Sequence, residues 1–211
     1  MKEHNYTIPI NEALEENVPC FLCKIEADLE ARALEYYMGA AVMEPAVRIE
    51  MNEKGFCRTH LSALYEGANK LPLALALETR MKSVLQKLEK APKKSGAPHT
   101  CVVCDRVHGQ MEKCEENVLW LLRHEADFLP KYLAGDGVCL HHYYHITDKL
   151  RRGEAALYKA IHAHMVQRLK KESADLERFR NLFDYRSREE EGAWAADVLP
   201  RAIKTLGAGR E

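Results

Sequence analysis

Cys20-x-x-Cys23 is followed by Gly55-Phe56-Cys57-x-x-His60, and some eighty residues later Cys101-x-x-Cys104 is followed by Gly137-Val138-Cys139-x-x-His142. Thiolate sulfur and imidazole nitrogen are ligands of zinc, and three thiolates with one imidazole complete a tetrahedron around it. A two-residue gap lets both members of a pair grip one ion. The half-motifs are separated by 33 residues in the first copy (24–56) and 34 in the second (105–138). Matched spacing of this kind implies a duplicated chain with two metal sites. The expectation is that each repeat completes its own site. Cys20, Cys23, Cys57 and His60 would hold one Zn2+, and Cys101, Cys104, Cys139 and His142 a second. One ion would then pin the start of a repeat's first helix to the start of its short helix. Gly55 and Gly137, two residues before the third cysteine of each set, can supply the open backbone that brings the second pair round.

Other residues compete for these roles. His141 and His145 lie near His142, but only His142 matches the Cys-x2-His spacing of His60. At i, i+4 spacing, His141 and His145 could grip a second metal or simply lie on a solvated helix face. Cys114 falls on an apolar stripe and reads as a small core residue. A reversible Cys-x-x-Cys redox pair of the thioredoxin type needs a βαβ setting, which the pattern lacks. The chain has no Glu-x-x-His pair, no Gly-rich phosphate loop and no Gly-x-Ser-x-Gly elbow. His124-Glu125-Ala126-Asp127-Phe128 starts like a zincin helix but has no second histidine.

The elements that must position the ligands are helical. Val107, Met111, Cys114, Val118, Leu121 and Leu122 form one stripe of helical period. Ile25, Leu29, Tyr36 and Tyr37 form its weaker counterpart. A short helix follows each Cys-x2-His, with Leu61, Leu64 and Tyr65 before Gly67, and Ile146 and Leu150 before Gly153. A longer one comes next, carrying Leu73, Leu77, Met81, Val84 and Leu88 in the first copy and Leu157, Ile161, Met165, Leu169, Leu176, Phe179 and Leu182 in the second. Pro72 suits the first turn of the former. Trp194, Val198, Ile203 and Leu206 predict a final helix, with Pro200 as a kink or restart and Gly207 as its stop. Alternating strand patterns are absent. The fold class expected is therefore all-α. Residues 1–92 would form one zinc-stapled module, 93–100 a linker, 101–186 a second module and 187–211 a helical tail.

Bulk properties exclude several functions. A formal net charge of −1 over 211 residues gives no global attraction to nucleic acid or anionic lipid. Lys93-Lys94, Arg151-Arg152 and Lys170-Lys171 read as solvated surface. No run approaches the length of a membrane span, and Met1-Lys2-Glu3-His4-Asn5 is not the start of a signal peptide. Seven cysteines without an export signal point to the reducing cytoplasm.

At Cys20, Cys23, Cys57, His60, Cys101, Cys104, Cys139 and His142 the chain resembles a family of bacterial proteins known only as a domain of unknown function. In that family a Cys-x-x-Cys pair and a Gly-Phe-Cys-x-x-His pair recur twice over about this length. Proline often follows the first cysteine there, whereas Phe21 and Val102 stand here. The resemblance implies a helical architecture and no particular activity. Three roles are compatible with the residues. The first is a non-catalytic interaction or regulatory protein with structural zinc and a protein partner, because a closed Cys3His sphere leaves no position for water. The second is a thiol-based redox or metal sensor. The third is an enzyme with a pocket between the modules, using His124, His141, His145 or Tyr143.

Overall fold

The computed structural model describes residues 7–16, 18–67, 70–90, 100–150, 153–184 and 192–207. Among these the chain is all-α, with ten α-helices, a 3-10 turn at Ala40–Met43 and no strand. The helices are α1 (Thr7–Glu15), α2 (Phe21–Met38), α3 (Pro45–Lys54), α4 (Arg58–Glu66), α5 (Lys70–Lys90), α6 (Val102–His124), α7 (Phe128–Ala134), α8 (Leu140–Leu150), α9 (Ala155–Asn181) and α10 (Ala195–Leu206). No described helix is long and apolar enough to cross a membrane. The return segment of each repeat, for which the periodicity gave no element, holds α3 in the first copy and α7 in the second.

The chain divides into two compact units that are not the two sequence repeats. One contains residues 1–25 and 113–211, the other 26–112. In the larger unit, Ile10, Phe21, Leu22, Val118, Tyr132, Val138, Ile146, Leu150 and Ile161 are fully buried. Phe21 and Tyr132 meet edge to face at 6.0 Å. The tail helix α10 packs on α9 and α8. Its buried face is Ala195, Val198, Ala202 and Thr205, and it runs through Pro200 without a restart. Trp194, just before it, carries the Arg178 guanidinium 4.0 Å above its ring.

In the smaller unit, Ala33, Tyr37, Val42, Met51, Leu64, Leu73, Val103 and Val107 make the core. The Tyr37 hydroxyl donates to the Val102 carbonyl at 3.4 Å, and its ring stands edge-on to Phe56 at 6.2 Å. α5 packs against α3 and α4, with Pro72 and Leu73 buried. Further along α5 the apolar residues emerge, and Met81, Leu85 and Leu88 are exposed. The proposed linker at 93–100 lies outside the described residues except for Thr100. That hydroxyl donates to the Lys54 carbonyl at 2.9 Å. The doublets Lys93-Lys94 and Arg151-Arg152 also lie outside them.

Candidate metal centres

Each of the four half-motifs is built as the start of a helix. The carbonyls of Cys20, Cys101, Cys57 and Cys139 accept from the backbone N–H four residues on, at Lys24, Asp105, Leu61 and Tyr143. The first member of every pair is thus the helix cap, and the second lies in the first turn. Unsatisfied amides at these ends turn toward sulfur. Cys23 N–H donates to Cys20 Sγ at 3.4 Å, and His60 N–H to Cys57 Sγ at 3.5 Å. Such amides and the positive end of the helix dipole stabilise negative sulfur.

Two sets of four ligand atoms converge, each set lying within 4.8 Å. One is Cys20, Cys23, Cys139 and His142, and the other is Cys57, His60, Cys101 and Cys104. In the first, His142 Nδ1 is 3.5 Å from Cys20 Sγ, 3.5 Å from Cys23 Sγ and 3.3 Å from Cys139 Sγ. Cys23 and Cys139 sulfurs are 3.6 Å apart. In the second, His60 Nδ1 is 3.1 Å from Cys57 Sγ, 3.2 Å from Cys101 Sγ and 3.4 Å from Cys104 Sγ. Cys57 and Cys104 sulfurs are 3.9 Å apart. Bonds of the length zinc makes give tetrahedral edges of about 3.8 Å between sulfurs and about 3.5 Å from sulfur to nitrogen. The residues fit an ion of that size, with both imidazoles presenting Nδ1.

All eight expected residues enter these clusters, but the expected pairing does not. Each Cys-x2-Cys meets the Cys-x2-His of the other repeat, so no repeat completes a site from its own residues. The backbone shows the same exchange. Phe21 N–H donates to the Gly137 carbonyl at 3.4 Å, and Val102 N–H to the Gly55 carbonyl at 3.0 Å. The long first helices supply the reason. α2 begins in the larger unit and ends in the smaller, and α6 runs the other way. Each Cys-x2-Cys stays in the unit where its helix begins, and the Cys-x2-His of the same repeat follows in the unit where that helix ends. Each cluster lies wholly within one compact unit.

Gly55 and Gly137 turn the chain into the second half-motif with φ of 73° and 71°. That left-handed backbone favours glycine. A side chain at Gly137 would also meet His164 at 3.2 Å and the Tyr132 hydroxyl at 3.3 Å.

Three supporting groups were not legible as site residues. Glu30, buried on α2, places Oε1 3.1 Å from His60 Nε2. A carboxylate on the far nitrogen orients a ligating imidazole and raises its basicity. In the larger unit Arg168 donates to the carbonyls of Pro19, Asp136 and Val138 at 2.7, 2.6 and 3.1 Å. Pro19 and Val138 immediately precede the two half-motifs of that cluster. The same guanidinium donates to Glu172 at 2.9 Å and Thr205 at 2.5 Å. Arg80 serves the turn before Gly55, donating to the Asn52 carbonyl and, at 3.3 Å, to that of Glu53. Only the i, i+4 spacing of Arg168 and Glu172 could have drawn notice in the sequence.

Crowded sulfurs perturb one another. Hydrogen bonds from Cys20 and Cys23 hold Cys139 far below the ordinary thiol range, and the bond to Cys139 pushes Cys23 far above it. Burial opposes charge on His142, yet its bonds to Cys139 and Cys20 raise it to about 10. At Cys57 burial works upward, but the amide hydrogen bond of His60 and the bonds to Cys101 and Cys104 bring the thiol down. Partial desolvation and the bond to Cys101 push Cys104 up to about 12. A divalent cation replaces the protons shared in such sets.

The remaining candidates are placed elsewhere. His145 Nδ1 meets the buried carboxylate of Glu115 at 3.0 Å, which Lys149 also contacts at 3.3 Å. His141 and His145 rings are 4.3 Å apart. Among the described residues, neither belongs to a ligand set. Tyr143 bonds His162 at 2.7 Å, and His124 stacks on Trp120 with its Nδ1 2.8 Å from that residue's carbonyl. Cys114 is a core residue, its thiol pushed up to about 11 by burial.

A family model described as "Family of unknown function (DUF6062)" matches the chain twice, over residues 1–100 and 95–211. No curated protein and no solved structure matches it.

Proposed function

Since the chain belongs to the family of unknown function DUF6062, whose model it matches as two tandem copies, we propose from the site itself that it is a zinc protein with two structural Cys3His ions and a non-catalytic, protein-binding or regulatory role. The observation that carries this reading is the closure of each cluster. Four protein ligands at tetrahedral separations leave no place for the exchangeable water that catalytic zinc keeps. The ligands are Cys20, Cys23, Cys139 and His142 for one ion, and Cys57, His60, Cys101 and Cys104 for the other. Zinc is favoured over other metals because sulfur-rich tetrahedral sites suit it, and because a cytoplasmic setting keeps the cysteines reduced. We place the duplicated segments at 1–92 and 101–186 about a linker at 93–100, with 187–211 as the tail.

A binding role gains support from α5, where Met81, Val84, Leu85 and Leu88 are exposed at helical spacing. Helices recognise other helices through apolar rows of this kind. The deciding experiment is elemental analysis with X-ray absorption on natively purified chain. Two zinc ions per chain, each with three sulfurs and one nitrogen, are expected. An oxygen donor at either ion would overturn the structural reading and favour catalysis.

A further inference from the structure

The two clusters differ in how they meet solvent. In the first, Cys20, Cys139 and His142 are buried and Cys23 is half-buried. In the second, His60 and Cys101 are buried, Cys57 is half-buried and Cys104 is exposed. The second cluster thus has a protected half, backed by Glu30 on His60, and an open half made of two sulfurs 3.9 Å apart. We propose that this open half is a modification site. Cys104 is the nucleophile toward peroxides and soft electrophiles, and Cys57 is the thiol that resolves it. The proposal rests on the zinc reading above, because the ion is what holds both sulfurs as thiolates.

Thiolate reactivity follows access as well as charge, and buried metal-bound sulfurs are shielded from attack. With hydrogen peroxide, Cys104 Sγ attacks one oxygen, the O–O bond breaks, and hydroxide leaves. The sulfur is oxidised by two electrons to the sulfenic state. Cys57 Sγ then attacks that sulfur, a second hydroxide leaves, and the S–S bond forms. With two protons from solvent, two thiolates and one peroxide give one disulfide and two waters. Closing the sulfurs to bonding distance requires a movement of about 2 Å. The ion then retains only His60 and Cys101 and is released. A maleimide would instead take one S–C bond at Cys104 and a proton at carbon.

The test uses the full, natively purified chain, whose zinc content is measured first. Limiting N-ethylmaleimide, and separately hydrogen peroxide, is added while peptide mass spectrometry follows all seven cysteines. A chromogenic chelator reports zinc release. Cys104 should be labelled at least roughly tenfold faster than Cys20, Cys23 or Cys139. One of two ions should be released, and peroxide should yield a Cys57–Cys104 disulfide. Cys57→Ser should abolish that disulfide. Cys104→Ser should remove the fast phase altogether. Two ions at the outset followed by equal labelling of both clusters, or by faster reaction at Cys23, overturns this proposal alone. A chain that carries no ion at the outset overturns the zinc reading and this proposal with it.

Discussion

Glu30 distinguishes the two candidate centres more sharply than any of the eight clustered residues does. It holds His60 from behind, whereas the corresponding position of the second repeat, by the offset from Cys20 to Cys101, is Met111. Loss of such a carboxylate typically costs ten- to a hundredfold in metal affinity. Glu30→Gln should therefore weaken the Cys57–His60–Cys101–Cys104 centre by about that factor and leave the other unchanged. Chelator competition, read as two separate release phases, measures it. Equal weakening of both phases would show that Glu30 acts on the fold instead. Gly55 makes a second residue-scale case. Its φ of 73° with ψ of −159° is open essentially to glycine alone. Gly55→Ala should cost about 1–3 kcal/mol in denaturant unfolding of the metal-loaded protein. An unchanged midpoint would mean that the turn can relax.

Among the elements, α9 does for the larger unit what no metal ligand can. Arg168 on this helix gathers the carbonyls before Cys20 and before Cys139, and with Glu172 and Thr205 it fastens α10 to the same point. Arg168 and Glu172 side chains are both 7% exposed, so the pair is effectively desolvated. Removing one member of a buried pair strands the other and typically costs about 3–5 kcal/mol, whereas replacing both with apolar groups costs far less. Arg168→Met should destabilise by about that amount, and Arg168→Met with Glu172→Leu should recover part of it. Thermal unfolding with zinc present checks both. If the double variant is worse than the single, the network matters for its geometry more than for its charge. The α2 and α6 helices each begin in one compact unit and end in the other.

For the whole molecule, the exchange of half-motifs would make metal binding a property of the complete chain. A segment spanning residues 1–92 contains one full set of four ligand types, but its two pairs belong to different centres. As a monomer it should bind no tight zinc, and mixing it with a 95–211 segment should restore two ions. Native mass spectrometry of each segment and of the mixture decides this. A monomeric 1–92 segment holding one tightly bound ion would refute the exchange. Structural zinc in small peptides contributes about 10–16 kcal/mol, so prolonged chelation of the full chain should collapse both compact units. A melting curve insensitive to chelator would remove zinc from any structural role.

The eight residues of the two clusters, the duplication and the helical class could be read from the sequence because each is local. Cys20 and Cys23 fit one turn, Val107 to Leu122 share one face, and Gly55 recurs as Gly137. The short helix after each Cys-x2-His and the end of α10 at Gly207 were legible for the same reason. The helices α3 and α7 were not, since short return segments are held by packing, as Met51 and Tyr132 are, more than by their own periodicity. Nor could the supporting groups be found, because Glu30 and Arg168 act on residues 30 and 149 positions away. The partner of each half-motif was decided by tertiary structure alone. Two identical Cys-x2-Cys pairs offer the same chemistry to either Cys-x2-His, so spacing cannot choose between them. The long first helix of each repeat chooses, because it begins in one compact unit and ends in the other.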